Sequence, residues 1–377
     1  MQLDSESSAI ESANDTKRMR PSSTLGSSRS GWAPIVARIV AGRARQASVP
    51  GVSLWVVVYA WIDQAFARAM SPSRRLYADG FGDRARLESL VDEVRELGAS
   101  PPDAIDIRWS RPRTRMGFAV SRGRYRSPAR FLPPESVEGV VERWLPNARA
   151  PHCLILATTG EEGFANRRPL AMYLAHKGIA SVIVENPYYG ARRPEGQIGA
   201  AVRTVADQFA MNTATVKEVR SLLAYFAAHD LEVGATGFSQ GGMMAAFGAA
   251  LSDFPVALTP RGAACRAESV FTRAALATTM RWDVLAAEAG SREAAERYFA
   301  ECLEPVRVDR LPPPVAPHKA ILVASRHDGF IPPSEAEALH AAWPGSELRW
   351  VSAGHVTGLV LRHPTHRRAI LDAFARR

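Results

Sequence analysis

The sequence predicts an α/β fold in which a mostly parallel central sheet is covered by helices on both faces. Two observations predict this fold. From about residue 106 onwards, short continuous hydrophobic runs alternate with segments whose hydrophobic residues recur every three or four positions, as buried strands and amphipathic helices do. Hydrophobic residues also make up 46% of the 377-residue chain, which is enough to bury a sizeable core.

The first part of the chain lacks this alternation. Residues 1–32 are rich in Ser, Asp, Glu and Asn and contain few large hydrophobic side chains, so we expect a disordered tail. Residues 33–105 have a helical pattern that stops at Gly98, and we expect a helical segment packed on the core.

Residues 52–62 (VSLWVVVYAWI) are the most hydrophobic stretch of the chain. The stretch is well short of the roughly 20 apolar residues that cross a bilayer. It is either a buried helix or strand, or a surface that contacts a membrane peripherally through its tryptophans and the arginines that flank it. Both interpretations remain open.

Residues 106–377 contain the alternating pattern and are predicted to form one α/β domain. The predicted elements are, in chain order, strands at 116–128, 136–146 and 152–160, a helix at 165–178, a strand at 179–187, a helix at 199–229, a strand at 231–239, a helix at 241–253, a strand at 319–328, a helix at 333–343, a strand at 346–355 and a final helix at 366–377. Residues 266–316 are helical and then proline-rich, and they interrupt the alternation. We interpret them as an insertion over the carboxyl edge of the sheet, with a role as a lid left open.

Ser239 is a candidate nucleophile because it lies in a G-x-S-x-G pattern between a predicted strand and a predicted helix. Such a tight turn forces the serine into strained backbone geometry, and Gly237 and Gly241 avoid clashes with the neighbouring elements. The hydroxyl then projects from the carboxyl edge of the sheet at a helix N-terminus, where developing negative charge is favoured. The backbone N–H of Gln240 points to the same place and is predicted to donate to the oxyanion.

A serine hydroxyl needs a base, and the base needs an orienting acid. Asp328 directly follows a predicted strand, although an aspartate there could also serve only as a turn or helix-cap residue. His355 follows the next strand. The order Ser, Asp, His, with each residue at a strand end, is that of α/β-hydrolases. The sequence therefore predicts an α/β-hydrolase fold with Ser239, Asp328 and His355 as a catalytic triad.

The second oxyanion donor is expected in the loop after the strand that begins at His152. Thr159 or Gly160 fits this role, and the choice between them remains open. The sequence contains no His-x-His or His-Glu-x-x-His pattern and no phosphate-binding glycine loop, so neither a metal nor another cofactor is implied.

Four stretches resemble the abhydrolase domain-containing protein eighteen family. They are IVENPYYGARRPEGQ (183–197), GFSQGGMMA (237–245), ESVFTRAAL (268–276) and the tail from 343 to 374. The resemblance runs from about Gly123 to the C-terminus and implies a serine hydrolase, the same triad and lipid-like acyl esters as substrates. The chain departs from the family at residues 158–165, which read TTGEEGFA in place of GTGDHHFW, so its oxyanion loop is partly altered.

Two tyrosines in this resemblance follow a predicted strand and therefore reach the same edge of the sheet. Tyr188 and Tyr189 could form a wall of the substrate pocket, and Arg192 or Arg193 could contact an anionic head group. The alternative is a packed turn with surface arginines.

The composition bears on which partners and which cell compartment are expected. The net charge is +9, but the arginines are spread along the chain and no nucleic-acid-reading motif accompanies them, so no nucleic-acid partner is predicted. Three widely spaced cysteines and a polar N-terminus are typical of a cytoplasmic protein, with peripheral membrane contact through 52–62 left open. The oligomeric state is not predicted.

The sequence thus predicts a serine hydrolase that cleaves carboxylic esters of a lipase-like kind through an acyl-enzyme. Two alternatives remain. One is an inactive binding protein on the same fold, favoured only by the altered oxyanion loop. The other is a peptidase or amidase that uses the same triad.

Overall fold

The structure is a computed structural model that describes residues 54–70, 75–272 and 274–377. The predictions for the tail at 1–32, and for the part of the helical segment before residue 54, lie outside the described residues. No helix within the described ranges is long and hydrophobic enough to cross a membrane.

Ten strands form one twisted sheet, which is parallel over six neighbouring strands and antiparallel at one end. The strands are β1 (Arg108–Trp109), β2 (Arg113–Arg115), β3 (Phe118–Arg126), β4 (Glu138–Leu145), β5 (His152–Leu156), β6 (Ala180–Val184), β7 (Val233–Phe238), β8 (Ala257–Arg261), β9 (Ile321–Ser325) and β10 (Glu347–Val351). Their order across the sheet is β1-β3-β4-β6-β5-β7-β8-β9-β10, and β2 also pairs with β3. This is the mostly parallel α/β sheet that the alternating pattern predicts.

Eleven helices of the described ranges surround the sheet. They are α1 (Leu54–Met70), α2 (Arg84–Arg95), α3 (Arg168–His176), α4 (Val205–Ala227), α5 (Gln240–Ala250), α6 (Ala267–Thr272), α7 (Trp282–Ala289), α8 (Arg292–Leu303), α9 (Pro333–Ala342), α10 (His355–Leu361) and α11 (His363–Ala375). Short 3-10 helices lie at 134–136, 190–192, 275–279, 308–310 and 317–319.

Both faces of the central parallel strands are buried, and β5 shows how its residues divide between them. Leu154 and Leu156 belong to the large core that α4 and α5 cover. Cys153 and Ile155 belong to a second core against α3. Because successive side chains of a strand point to opposite faces, a strand between two helical layers reads as a continuous hydrophobic run.

Some elements differ from the sequence predictions. Strands β1, β2 and β8 were not predicted, because two are very short and β8 (ALTPR) contains polar residues and a proline. Helix α4 begins at Val205 and not at 199, because the Thr204 hydroxyl accepts the Asp207 N–H at 3.0 Å and caps the helix there.

The segment 266–316 contains α6, α7 and α8. Leu285 of α7 and Phe299 of α8 are buried in the large core. At the other end of the described chain, α1 buries Val58, Ile62 and Ala67. This burial fits the interpretation of residues 52–62 as a buried helix; it does not test membrane contact.

Candidate active site

Ser239 lies at a sharp turn between the end of β7 and the start of α5. Its backbone has φ 54° and ψ −120°, a left-handed conformation that side-chain-bearing residues rarely adopt. Its N–H donates to the Arg261 carbonyl at 2.8 Å, which anchors the turn to β8. Ser239 is partly exposed, whereas every residue of the preceding strand β7 is buried. The strained geometry expected of a nucleophile turn is therefore present at the expected serine.

The flanking glycines let the backbone pack closely at this turn. A Cβ atom on Gly237 would lie 2.2 Å from the Gly241 carbonyl carbon. A Cβ atom on Gly241 would lie 2.6 Å from the Ala157 carbonyl oxygen, at the end of β5. Because real Cβ atoms do not approach so closely, any larger residue would push α5 away from the sheet.

Asp328 lies in the loop after β9 and makes three hydrogen bonds. Its Oδ1 accepts the N–H groups of Phe330 at 2.9 Å and Ile331 at 2.7 Å, which fixes the carboxylate in the loop. Its Oδ2 lies 2.7 Å from Nδ1 of His355. Strands β9 and β10 are parallel neighbours, so their carboxyl ends bring the acid and the imidazole together.

His355 is the first residue of α10. The sequence predicted a strand through this position and then a loop opened by Gly354, and that local assignment is wrong: β10 ends at Val351 and Gly354 caps the new helix. The imidazole ring is buried between Phe238, 4.7 Å away, and Phe330, 5.0 Å away, measured between ring centroids. Phe238 directly precedes Ser239, so the ring packs against the nucleophile turn.

The hydrogen bond to Asp328 assigns the tautomer of His355. A carboxylate only accepts, so Nδ1 donates and Nε2 keeps its lone pair, as a general base requires. Burial lowers the pKa of His355, but the charges of Asp328 and Asp63 and the hydrogen bond to Asp328 raise it. The net direction is a pKa above the ordinary value of 6.5.

An N–H group can donate to the oxyanion only if it does not already donate to another acceptor, and the expected donors differ in this respect. Gln240 is the first residue of α5, so its N–H has no partner within the helix. In the loop after β5, Thr158 N–H donates to the Glu161 carboxylate at 3.2 Å, and Gly160 N–H donates to the Tyr189 hydroxyl at 3.2 Å. The N–H of Thr159 has no acceptor among the described residues. Of the two sequence candidates, Gly160 therefore has its N–H engaged and Thr159 does not.

The loop after β5 is braced by the loop after β6. Glu162 accepts the Gly190 N–H at 2.9 Å and forms an ion pair with Arg193. Glu185 accepts the Gly163 N–H at 2.8 Å. Together with the Tyr189–Gly160 bond, these contacts tie the altered TTGEEGFA segment to residues 185–193 at four points. Glu162 and Glu185 therefore hold the loop after β5 against the loop after β6.

The prediction that Arg192 contacts an anionic head group is wrong. Arg192 is 1% exposed, and its five N–H groups are used on Ser136, Glu185 and Glu218. A guanidinium with all donors engaged in the core has none left for a substrate. Its position after a strand predicts a side chain at the site. Instead, the ion pair with Glu218 of α4 holds the guanidinium in the core.

The two tyrosines are almost fully buried and their hydroxyls are engaged. Tyr188 adopts φ 65°, donates to Asp207 at 3.1 Å and accepts from Arg86 at 3.0 Å. Its hydroxyl therefore points to α2 and α4. Tyr189 contacts the oxyanion loop through Gly160. Contact of either ring with substrate stays a prediction.

Asp63 of α1 is a site residue that the sequence analysis missed. Its side chain is fully buried and accepts N–H groups from Gly329 at 2.8 Å, His355 at 2.7 Å and Val356 at 3.0 Å. The available signal was a single acidic residue at the end of the hydrophobic run 52–62. Within residues 54–70, 75–272 and 274–377, no three His, Cys, Asp or Glu side chains cluster as metal ligands would.

Comparisons with known proteins agree with this fold. The model of the family "Alpha/beta hydrolase domain containing 18" matches residues 74–298 and 286–376. An acetyl xylan esterase from Paenibacillus sp. R4 is 14% identical, with a TM-score of 0.55 over 78% of this chain and 97% of that one. Acetyl xylan esterase 1 from Thermoanaerobacterium sp. JW/SL YS485 is 13% identical, with a TM-score of 0.51 over 80% of this chain and 98% of that one. At such identities the likeness shows the fold alone.

Proposed function

Because the chain belongs to the alpha/beta hydrolase domain containing 18 family, we propose that it is a serine hydrolase that cleaves carboxylic esters. One observation carries the proposal. The partly exposed Ser239 has the strained backbone of a nucleophile turn, and the bonded pair of Asp328 and His355 packs against the same turn.

In the proposed mechanism, Ser239 attacks the ester carbonyl while Nε2 of His355 takes the hydroxyl proton. Asp328 holds the imidazole in the tautomer that leaves Nε2 free and stabilises the imidazolium that forms. His355 then returns the proton to the departing alcohol, which leaves an acyl-Ser239 ester. Water, deprotonated by His355, hydrolyses this ester and restores the serine.

The tetrahedral oxyanion is proposed to accept from the N–H groups of Gln240 and Thr159. Gln240 N–H lies at the N-terminus of α5, where the helix dipole adds to the stabilisation of negative charge. Thr159 is favoured over Gly160 because the Gly160 N–H already has an acceptor.

For substrates, we propose esters with lipid-like acyl chains, as the family resemblance implies. The two structural neighbours described as acetyl xylan esterases make acetyl esters the natural short-chain comparison. A series of nitrophenyl esters of increasing acyl length, followed by natural acyl esters, would rank them. Peripheral membrane contact through 52–62 and a cytoplasmic location stay predictions.

The decisive experiment is labelling of the full-length chain by a fluorophosphonate probe, which reacts with activated serines. Wild type is expected to be labelled and to hydrolyse esters, and Ser239→Ala is expected to lose both. Ser252→Ala is the matched control, since Ser252 lies two residues beyond the far end of the same helix and its hydroxyl donates to the Gly248 carbonyl. An unlabelled, inactive wild type, or equal labelling of Ser239→Ala, rules the proposal out.

The same assay separates the alternatives. An inactive binding protein would give no turnover with any ester. A peptidase or amidase would turn over nitroanilides of matched acyl groups faster than the nitrophenyl esters, after correction for the intrinsic reactivity of each leaving group.

A further inference from the structure

We propose that Asp63 is a positioning residue that holds the loops of the catalytic acid and the catalytic histidine at a fixed distance. This inference rests on the proposed serine-hydrolase function. Asp63 itself touches no reacting atom; it acts through the backbone beside Asp328 and through the backbone of His355.

The carboxylate of Asp63 bridges two segments that are far apart in the chain. Oδ2 accepts from Gly329, the residue after Asp328, at 2.8 Å and from His355 at 2.7 Å. Oδ1 accepts from Val356 at 3.0 Å. One side chain therefore fixes the peptide next to the acid and the first turn of α10, and so sets the separation of the two groups that must bond.

Neighbouring residues of α1 face the same loops. Tyr59 stacks on His327 with ring centroids 5.7 Å apart, and Phe66 meets Phe330 edge-on at 6.4 Å. Residues 59, 63 and 66 are spaced four and three apart, so they share one face of the helix. Helix α1 thus presents a continuous stripe to the acid and histidine loops, with the carboxylate at its centre.

The carboxylate of Asp63 packs against two glycines, Gly329 and Gly354, which have no side chains to crowd it. A Cβ atom on Gly354 would lie 2.8 Å from Oδ2 of Asp63, and one on Gly329 would lie 3.0 Å from Cβ of Asp63. A larger residue at Gly354 would displace the Asp63 carboxylate, and one at Gly329 would crowd it. Asp63→Asn removes the charge with little change in size, so it is the informative substitution.

All three partners of Asp63 are donors, which favours the ionised carboxylate. Burial raises the pKa of Asp63 and outweighs the three N–H bonds and the charge of His355, which lower it, so the net pKa lies above the ordinary value. The negative charge in turn faces His355, where Asp328 and Asp63 are the two carboxylates that stabilise the imidazolium. Asparagine keeps the shape, removes the charge and turns an N–H₂ group towards a backbone N–H, so at least one bond is lost.

The test compares full-length wild type, Asp63→Asn and two controls. Glu335→Gln is the matched control, because Glu335 is a 1% exposed carboxylate that accepts the Arg266 N–H at 2.9 Å but lies outside the triad. Gln64→Ala alters the exposed neighbour on α1. The measurements are kcat and KM for a nitrophenyl ester, the pH dependence of kcat/KM, hydrogen exchange at single amides, and thermal unfolding.

We expect Asp63→Asn to lower kcat by about 10- to 100-fold with little change in KM, because small misplacements of catalytic groups carry losses of that size. The acid limb of kcat/KM should move to lower pH, since loss of a negative charge lowers the pKa of His355. Hydrogen exchange should accelerate at Gly329, His355 and Val356. Neither control should show the loss of kcat, the shifted acid limb or the faster amide exchange, even where its loss of thermal stability equals that of Asp63→Asn.

Two results would overturn the proposal. One is Asp63→Asn with wild-type kcat, pH profile and amide protection. The other is Glu335→Gln with an equal loss of kcat at equal loss of thermal stability, which would make the effect one of general stability. If wild type is itself unlabelled by fluorophosphonate and inactive, the proposed function fails, and the exchange of the three amides still decides whether Asp63 holds the loops.

Discussion

At the scale of single residues, the pair of Asp328 and His355 determines how the site responds to pH. The ring is buried between two phenylalanines, which disfavours its charged form, yet it lies 2.7 Å from a carboxylate. The carboxylates prevail, and the pKa of His355 lies above 6.5. The base is therefore half neutral only at a pH above that of an ordinary histidine.

The first residue-scale prediction concerns pH. Only neutral His355 can accept the Ser239 proton, so kcat/KM for ester hydrolysis should fall as pH decreases through a midpoint above 6.5. Stopped assays with a pH-independent leaving group would measure the profile. A midpoint at or below 6.5 would show that burial outweighs Asp328.

A second prediction concerns the acid itself. Asp328→Asn should keep the fold but reduce kcat by about 10⁴-fold, because an amide cannot hold the ring in the tautomer that exposes Nε2. Steady-state kinetics beside circular dichroism would measure both. Loss of less than tenfold would mean that another group orients His355.

A third prediction tests the oxyanion donor. Tyr189→Phe removes the acceptor of the Gly160 N–H and should cost about 1–3 kcal/mol of stability, with kcat nearly unchanged if Thr159 is the donor. Tyr188→Phe is the matched control in the same segment, since its hydroxyl bonds Arg86 and Asp207. A large change in kcat for Tyr189→Phe alone would favour Gly160 instead.

At the scale of elements, a buried ion pair fastens the loop after β6 to the long helix α4. Arg192 and Glu218 are 1% and 0% exposed, and the Tyr125 hydroxyl also donates to Glu218 at 2.9 Å. Burial lowers the pKa of Arg192, and the adjacent Glu218 raises it to a net value above normal. The loop that braces the oxyanion segment is thus itself held by a charge pair within the core.

Removing one partner of this ion pair should lower the free energy of unfolding. Glu218→Gln leaves the Arg192 charge buried without a counter-charge, and we expect a loss of about 3–5 kcal/mol in the free energy of unfolding. The exposed pair Arg203–Asp79 is the control, and Asp79→Asn should cost much less than Glu218→Gln because solvent screens an exposed pair. Denaturant titrations would measure both, and equal losses would contradict the assignment.

At the scale of the whole molecule, one edge of the sheet collects the candidate catalytic groups. Strands β5, β7, β9 and β10 are parallel, so the segments that follow them, with Thr159, Ser239, Asp328 and His355, lie at their common carboxyl edge. Helices on both faces keep the sheet buried. The four candidate residues are therefore positioned by parallel strands of one sheet.

The three cysteines offer a test of this burial. Cys153, Cys265 and Cys302 are free and buried. Burial raises the pKa of Cys153 to about 12 and that of Cys302 to about 11. Ellman's reagent at pH 8 should detect almost no thiol in the native protein and three after denaturation in guanidinium. Fast reaction of a native thiol would show that its part of the core opens.

Much of this molecule follows from local sequence. Ser239 was identifiable because its flanking glycines and the preceding hydrophobic strand are adjacent in the chain. Asp328 and His355 are predicted as its partners from their positions after two such strands. The burial of Arg192 does not follow from local sequence, because its partner Glu218 lies 26 residues away on another element.

The sequence by itself determined the alternation of strands and helices and the order of the three candidate catalytic residues, because hydrophobic periodicity and turn residues act between near neighbours. Only the tertiary structure decided that Asp63 bonds Gly329 and His355, which lie 266 and 292 residues further along the chain. Such contacts arise from the packing of α1 against two distant loops, and no local pattern specifies which buried carboxylate will meet which backbone N–H.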